Sequence, residues 1–258
     1  MSRTYSAPAA RKAMMLLEKM AMVNKPFTVT ELSLALNIPT NSVFRILKEL
    51  QALQYIEQLN DGGYILTSKL YYLGSSIGDR ISFKQSAQQY MDKLLALTKE
   101  TVILTTFGSH YSTLIVDQKI STERIKFIST VGLEYSSYSS AMGKAMLAFI
   151  SKEKLDHYLD YVVFEKETEN TIVTKEDLLS ELEATRKKGY ATDKEESVPG
   201  VNCVAAPIFS VGGWLEGAIG ISGPKFRVKT EEIDDIAKAV KAQADLFSTA
   251  LGYSKADA

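Results

Sequence analysis

Cysteine and histidine are scarce in this chain, which has one cysteine and two histidines among 258 residues. Because Cys203 has no second cysteine to pair with, an intramolecular disulfide is excluded and a reducing compartment is indicated. The two histidines, His110 and His157, stand far apart in sequence, so they do not predict a metal cage of nitrogen and sulfur ligands. We therefore expect no metal site.

Long apolar runs are also lacking. No stretch approaches the roughly 18 apolar residues that a membrane-spanning helix requires. The start of the chain, Met1 to Ala10, is polar and has no apolar segment of the kind found in secretory signals. We expect a cytoplasmic protein with no membrane partner.

Sequence signatures of enzymes and of nucleotide cofactors are missing as well. Gly143-Lys144 does not form a phosphate-binding loop, because Tyr138 stands where the first glycine is needed. The glycines at 213, 217, 220 and 223 lie in a strand-like run rather than at a strand-to-helix turn, which argues against a dinucleotide site. Cys203 stands among small apolar residues, which favours a buried hydrophobe over a nucleophile. We predict that the protein is not an enzyme and has no cofactor.

The composition is that of a folded protein, with 45% hydrophobic and 24% charged residues, and the length suits about two domains. Charge is balanced overall but not along the chain. Residues 1–75 carry eight Lys or Arg against five Asp or Glu, a difference of +3, while the remainder carries 22 against 26, a difference of −4. A small basic module followed by a larger acidic one is indicated.

Two helices are predicted at the start of the basic module. Apolar residues recur at helical spacing from Ala9 to Met22, on a face formed by Ala13, Leu16, Leu17 and Met20. Thr28 stands three residues before Glu31, the spacing of a capping box, and predicts a second helix over about Val29 to Leu36.

A third helix is predicted from Thr40, a suitable N-cap, to about Leu53. Its apolar stripe is Val43, Ile46, Leu47 and Leu50. Its opposite face carries side chains that can reach into a DNA groove, namely Asn41, Ser42, Phe44 and Arg45. Arg45 can donate two hydrogen bonds to guanine, and Asn41 can pair with adenine. Cations suited to the phosphate backbone are Arg11, Lys12 and Lys48.

A β-hairpin is predicted next, from Tyr55 to Gln58 and from Tyr64 to Thr67, around the turn Asn60-Asp61-Gly62-Gly63. Three helices with a tight turn and a hairpin predict a winged helix-turn-helix. This pattern favours DNA binding. A solvated helix face without function, or a winged helix that contacts protein, remains the alternative.

The remainder of the chain predicts an α+β domain with a mixed or antiparallel sheet. Helical stretches are expected at Lys69–Gly74, Phe83–Leu97, Ala141–Ile150, Thr174–Lys188 and Thr230–Leu251. Strands are expected at Val102–Phe107, Thr113–Asp117, Lys126–Thr130, Asn202–Phe209 and Leu215–Ser222.

Several runs resemble one family, the IclR-type bacterial transcription regulators. In the basic module they are Arg11–Leu17, Ser42–Leu47 and Tyr64–Leu66, and in the acidic module Ala141–Ala145, Lys188–Asp193, Gly200–Pro207 and Ile221–Pro224. The resemblance covers nearly the whole chain in order. It implies a winged helix-turn-helix domain over 1–75, a linker helix over 76–98 and a GAF-like effector-binding domain over 99–258.

The resemblance also implies partners and site residues. The partners are a palindromic double-stranded DNA operator, a small organic acid effector, and other copies of the chain in a homodimer or homotetramer. The effector-binding residues that the family pattern transfers are Ala141, Met142, Gly143, Asp193, Cys203 and Ser222, and Thr40 joins the DNA-binding set.

Part of this pocket can be argued from the residues alone. Ser139 and Ser140 precede the helix that starts at Ala141, whose first amides have no internal partners and attract a carboxylate. Asp193 would accept a hydrogen bond from a ligand hydroxyl, and Tyr135 and Tyr138 would form an apolar wall. The alternative is that Ser139 only caps the helix and Asp193 only binds a backbone amide.

The chain departs from the family pattern at three positions. Gly220 stands where many members have a serine, which would remove one hydrogen bond to a ligand, about 1 kcal/mol. Gln54 replaces a glycine, which predicts that the third helix lacks the usual left-handed end. Thr40 stands where a basic residue is frequent, which affects the operator sequence.

Two other functions stay open at this point. One is an enzyme that acts on small carboxylates and carries an accessory winged helix. The other is a winged helix that docks onto protein.

Overall fold

The structure is a computed structural model that describes residues 7–21, 23, 25–75 and 78–254. The chain divides into two compact units, Met1–Ile81 and Ser82–Ala258. Four predicted features touch positions outside the described residues: the first six residues, Met22 at the end of the first helix, residues 76 and 77 at the start of the predicted linker, and residues 255–258 at the end of the predicted effector-binding domain.

In the first unit, three helices and a hairpin follow in the predicted order, and a fourth helix comes after the hairpin. Its elements are α1 Pro8–Ala21, α2 Val29–Leu36, α3 Thr40–Ala52, β1 Ile56–Gln58, β2 Tyr64–Leu66 and α4 Lys69–Ser75. The two strands pair antiparallel. The predicted capping box is present, since the Glu31 amide donates to the Thr28 hydroxyl at 3.3 Å and the Thr28 amide donates to the Glu31 carboxylate at 2.8 Å.

The turn between α2 and α3 corrects one prediction. Thr40 is not the N-cap of α3, because the helix already begins at Thr40 and Pro39 occupies the cap. The Pro39 carbonyl accepts from the amides of Ser42 and Val43 at 2.8 and 3.1 Å. The Thr40 hydroxyl does not cap the helix and instead lies 3.2 Å from the Ser33 hydroxyl of α2.

The end of α3 corrects a second prediction. Gln54 adopts a left-handed conformation with φ of 62°, so the helix has its usual left-handed end without a glycine. The Tyr55 amide donates to the Leu50 carbonyl at 2.9 Å and closes the helix end. A side chain in this conformation carries a steric cost of about 1 kcal/mol, which glycine avoids.

The second unit is built on one six-stranded antiparallel sheet. Its strands are β3 Thr101–Phe107, β4 Thr113–Lys119, β5 Glu134–Tyr135, β6 Ala191–Lys194, β7 Val201–Phe209 and β8 Leu215–Pro224, in the order β5-β4-β3-β8-β7-β6. Its helices are α5 Gly78–Thr98, α6 Ala141–Leu147, α7 Lys152–Tyr161, α8 Lys175–Lys188 and α9 Ile233–Ala250. The predicted α+β class is confirmed.

The two faces of the sheet are packed differently. Large residues such as Val204 and Ile221 belong to a core that also contains Met91 of α5 and Phe247 of α9. The opposite face carries small residues from β7 and β8 and packs against α6; they include Cys203, Ala205 and Ala218. Because side chains alternate along a strand, one face is filled by large residues while the other has space above it.

The strand predicted over Lys126–Thr130 is wrong. The segment pairs with no strand, because side chains satisfy its backbone instead. The Gln118 side chain donates to the Ser129 carbonyl at 2.6 Å and accepts from the Ser129 amide at 3.0 Å. The Thr101 hydroxyl donates to the Phe127 carbonyl at 2.6 Å.

Other differences concern short elements. Strands β5 and β6 and helix α7 were not predicted. The helix expected over Ala141–Ile150 ends at Leu147, and the next helix, α7, is capped by Ser151. The closing helix begins with a 3-10 turn at Thr230–Glu232. Gly189 ends α8 in the left-handed conformation.

Candidate functional site

The outer face of α3 carries the side chains predicted to contact DNA. Thr40, Asn41, Phe44, Arg45 and Lys48 are exposed, and Ser42 is half-buried. The other face is buried in the core of the first unit through Val43, Leu47 and Leu50. The helix is thus held by its apolar stripe and offers its polar face to solvent.

Lys48 connects α3 to the hairpin. Its ammonium donates at 3.2 Å to the side-chain oxygens of Gln51 and of Gln58 on β1. It also lies 5.6 Å from the ring centre of Phe44. These contacts hold a positive charge at the junction of helix and hairpin, where a phosphate can replace the neutral amides.

The predicted phosphate contacts on α1 differ in accessibility. Arg11 is exposed, whereas Lys12 is half-buried. Both side chains lie on the first helix of the unit.

A cavity of ≈ 270 Å³ lies in the second unit, over the small-residue face of the sheet. Its wall combines strand residues, the start of α6 and four loop segments. The lining consists of Ile103, Thr113, Ile115, Phe127, Ser129, Tyr135, Ser136, Ser139, Ser140, Met142, Glu167, Asp193, Ser197, Val198, Cys203 and Ser222. The size approaches that of small-molecule sites, which begin at about 300 Å³.

Most residues predicted to bind an effector line this cavity. They are Ser139, Met142, Asp193, Cys203 and Ser222. Ala141 and Gly143 are buried in the first turn of α6 and do not line it. Tyr135 lines the cavity, but the prediction for Tyr138 is wrong, because its ring lies in a separate apolar cluster and its hydroxyl donates to the Glu165 carbonyl at 3.0 Å.

Gly143 allows a close approach of two backbone segments. A Cβ at this position would lie 2.3 Å from the Cα and the carbonyl oxygen of Ser137. Ser140, not Ser139, caps α6, since its hydroxyl accepts from the Gly143 amide at 3.0 Å. Ser139 instead donates to Glu167 Oε1 at 3.2 Å.

Gly220 has a packing role that the sequence does not reveal. A Cβ there would lie 2.4 Å from the Val204 carbonyl oxygen. A serine at this position would therefore force β7 and β8 apart, so the missing hydroxyl reflects the close packing of these strands.

Asp193 lies in the cavity lining and also accepts hydrogen bonds from the loop that follows its strand. Its carboxylate accepts from the Glu196 amide at 2.6 Å and from the Ser197 hydroxyl at 2.5 Å. Burial raises the pKa of Asp193, and the hydrogen bonds from Ser197 and Glu196 oppose this shift.

Lys144 is fully buried directly behind the cavity wall. Its ammonium forms an ion pair with Glu196 and lies 3.9 Å from Glu181. Burial raises the pKa of Glu196, although the charge of Lys144 acts in the opposite direction. The pair fixes the loop whose residues Ser197 and Val198 line the cavity.

Sequence reasoning missed Glu167 and the loop residues of the lining. Glu167 is exposed and lies at the mouth of the cavity. Desolvation raises its pKa against the hydrogen bond from Ser139. No local pattern marks Glu167, Phe127 or Val198, because each reaches the cavity from an irregular segment.

Cys203 and Ser222 are neighbours on β7 and β8. The Ser222 hydroxyl donates to the Cys203 sulfur at 3.1 Å. Burial raises the pKa of the Cys203 thiol well above its ordinary value, so the sulfur is protonated and a poor nucleophile.

Within the described residues, no group of three or more His, Cys, Asp or Glu side chains is arranged to hold a metal ion. None of the helices in this part of the chain combines the length and apolar character needed to cross a bilayer.

Both units match family models. Residues 9–60 match the IclR helix-turn-helix domain, and residues 76–249 match the C-terminal domain of bacterial transcriptional regulator IclR. The HTH-type transcriptional regulator KdgR of Escherichia coli is 30% identical over 226 residues, which cover 87% of this chain and 86% of that protein.

Solved structures resemble the fold over nearly the whole chain. The crystal structure of the Thermotoga maritima IclR has a TM-score of 0.78 and 29% identity, and covers 95% of this chain and 98% of the other. An IclR homologue from Microbacterium hydrocarbonoxydans, complexed with 4-hydroxybenzoate, has a TM-score of 0.79 over 95% of this chain and 100% of the other. At 17% identity, the latter likeness concerns the fold alone.

These relatives are transcription regulators, and they give no support to the alternative of a carboxylate-processing enzyme. The family match spans both the helix-turn-helix unit and the unit that contains the cavity. This chain belongs to the IclR family of bacterial transcription regulators.

Proposed function

We propose that this protein binds a palindromic DNA operator as a homodimer or homotetramer, and that a small organic acid in the cavity changes its affinity for the operator. One observation carries the proposal: a helix with a buried stripe and a free polar face is joined, in the same chain, to a unit with a mainly apolar cavity.

The DNA contacts divide by chemistry. Asn41 and Arg45 lie in the first half of α3, the part of a recognition helix that meets base edges. Arg11, Lys12 and Lys48 serve the phosphates. Because two copies related by a twofold axis present two such helices, the operator has symmetric half-sites about one turn of DNA apart.

The effector fits a cavity with an apolar wall and a polar end. Ile103, Ile115 and Phe127 contribute apolar surface. The lining contains no lysine or arginine in the described part of the chain, so neutral donors hold the carboxylate of the acid. These donors are cavity hydroxyls, such as that of Ser140, and backbone amides at the start of α6.

Effector and operator are coupled through the connector from Lys69 to Leu97. The later part of α5 places Ala87, Met91 and Leu94 in the core of the second unit, so a change in the sheet displaces this helix. A coupling free energy of about 1 to 3 kcal/mol changes operator affinity roughly 5- to 150-fold.

The test measures operator affinity by fluorescence anisotropy with and without saturating ligand. Small organic and aromatic acids are first screened by thermal shift, because a ligand at 100 times its dissociation constant adds about 2.7 kcal/mol of stability. Equal operator affinities with and without a bound acid would refute the switch.

Variants separate the two sites. Arg45→Ala is expected to weaken operator binding by about 1 to 3 kcal/mol and to relax one base preference. Arg124→Ala removes an exposed arginine from the second unit and is the matched control. Asp193→Ala is expected to abolish the ligand response and to leave basal DNA binding intact, whereas a loss of folding would show that its bonds to the following loop are purely structural. Normal binding by the Arg45 variant would exclude α3 as the recognition helix.

A further inference from the structure

Two carboxyl groups of the cavity lining, Asp193 and Glu167, differ in their partners. Asp193 receives one hydrogen bond on each oxygen, at 2.6 Å from the Glu196 amide and at 2.5 Å from the Ser197 hydroxyl. Both donors come from the loop that directly follows its strand. Both oxygens of Asp193 therefore already accept hydrogen bonds from the protein, and the residue is 1% exposed.

Glu167 is placed differently. It lies at the mouth, is exposed, and accepts from the Ser139 hydroxyl at 3.2 Å. The Ser136 hydroxyl also stabilises its ionised form. Both donors are neutral hydroxyls of the cavity lining, so the carboxylate retains capacity for a stronger donor.

The backbone that carries Glu167 is fixed in place. The Glu167 amide donates to the Thr171 hydroxyl at 3.1 Å, and this hydroxyl donates to the Glu196 carbonyl at 2.6 Å. The Thr168 hydroxyl donates to the Glu195 carbonyl at 2.6 Å. These bonds join the loop of Glu167 to the loop that holds Asp193, so Glu167 is positioned before any ligand enters.

No cation balances Glu167 within the described lining. The nearby buried cation, Lys144, is already paired with Glu196. A ligand group opposite Glu167 must therefore donate a hydrogen bond, and a second carboxylate there would be repelled.

We propose that Glu167 selects the effector by accepting a hydrogen bond from a hydroxyl or ammonium group at its outer end. The effector is then a hydroxy or amino acid with an apolar body, rather than a dicarboxylic acid. This inference rests on the proposed function, because it assumes that the cavity holds the effector, and it assigns the discriminating contact to a residue outside the family motifs.

Two probes with the same ring and carboxylate test the inference. In 4-(aminomethyl)benzoate the para substituent ends in an ammonium group, and in terephthalate it is a second carboxylate. Isothermal titration calorimetry of the full chain is expected to give about tenfold or more tighter binding of the ammonium probe, the range of a charge-assisted hydrogen bond. Glu167→Gln is expected to bring the ratio of the two dissociation constants close to one.

Glu176→Gln is the matched control. Glu176 lies in the first turn of α8, is exposed, and does not line the cavity. The probe ratio of this variant should equal that of the unchanged protein. Both variants replace an exposed carboxylate, so we expect both to fold normally. Circular dichroism checks that they do.

The outcomes separate the inference from the proposed function. If the unchanged protein does not prefer the ammonium probe, or if Glu167→Gln keeps the preference, the role of Glu167 is refuted while acid binding in the cavity stands. If neither probe binds to protein that still binds its operator, the ligand class is refuted. If no operator binding occurs at all, the proposed function itself is refuted.

Discussion

The buried charge of Lys144 offers a quantitative test of what holds the cavity wall in place. Lys144 has a fully buried side chain, and its partner Glu196 has a side chain that is 11% exposed. Lys144→Met keeps the side-chain volume but leaves the Glu196 carboxylate buried without its cation. Breaking a buried pair in this way costs about 3 to 5 kcal/mol. For a unit of this size the loss corresponds to a decrease in Tm of roughly 6 to 20 °C.

The stability lost in Lys144→Met is expected to depend on pH, and the direction of this dependence follows from the pKa of Glu196. Burial raises the pKa of Glu196 above its ordinary value of 4.5, and loss of Lys144 raises it further. A carboxyl group with a raised pKa in the folded state stabilises the fold below its unfolded pKa, and this contribution is lost as the pH rises through the folded pKa. The deficit of Lys144→Met relative to the unchanged protein should therefore be small near pH 4.5 and largest at neutral pH.

Urea unfolding followed by circular dichroism measures the loss, with two controls. Lys152→Met breaks an exposed pair with Asp156 and should cost less than about 1 kcal/mol. The double variant Lys144→Met with Glu196→Gln removes both charges and should recover most of the stability. A loss below about 1 kcal/mol for Lys144→Met, or a double variant as unstable as the single one, would refute the reasoning.

Three further substitutions test the local structure by thermal or urea unfolding. Gly143→Ala should destabilise by about 1 to 3 kcal/mol, because the new Cβ would meet the Ser137 backbone at 2.3 Å; an unchanged Tm would exclude this contact. Gln54→Gly should stabilise the first unit by roughly 1 kcal/mol, because glycine adopts φ of 62° without strain, and a loss would contradict the left-handed helix end. Thr28→Ala should cost about 1 kcal/mol by removing the capping box with Glu31, whereas a neutral result would show that water replaces it.

The elements of the first unit were predictable because their signals are local. The capping box of Thr28 and Glu31 and the apolar stripe of α3 are spaced within one or two helical turns. The error at Thr40 has a local origin too, since a proline carbonyl performs the capping that the sequence assigns to the threonine hydroxyl. At Gln54 the tertiary context holds a non-glycine residue in a conformation that its propensity disfavours.

The cavity was predictable only in part. Asp193, Cys203 and Ser222 were found through a resemblance, and the structure brings them together because β6, β7 and β8 are neighbours in one sheet. The strand expected at Lys126–Thr130 shows the opposite case, because side chains there bond the backbone groups that a partner strand would otherwise bond.

The sequence alone determined the order of helices and hairpin, the α+β class and the family, because each of these depends on patterns that span a few residues or on motifs in a fixed order. Tertiary structure decided which side chains share the cavity. Glu167 and Ser139 are 28 positions apart in the chain, and their contact at 3.2 Å exists only because separate loops pack over the small-residue face of the sheet. The periodicity within one element does not predict such packing, because the packing depends on which distant segments of the chain meet.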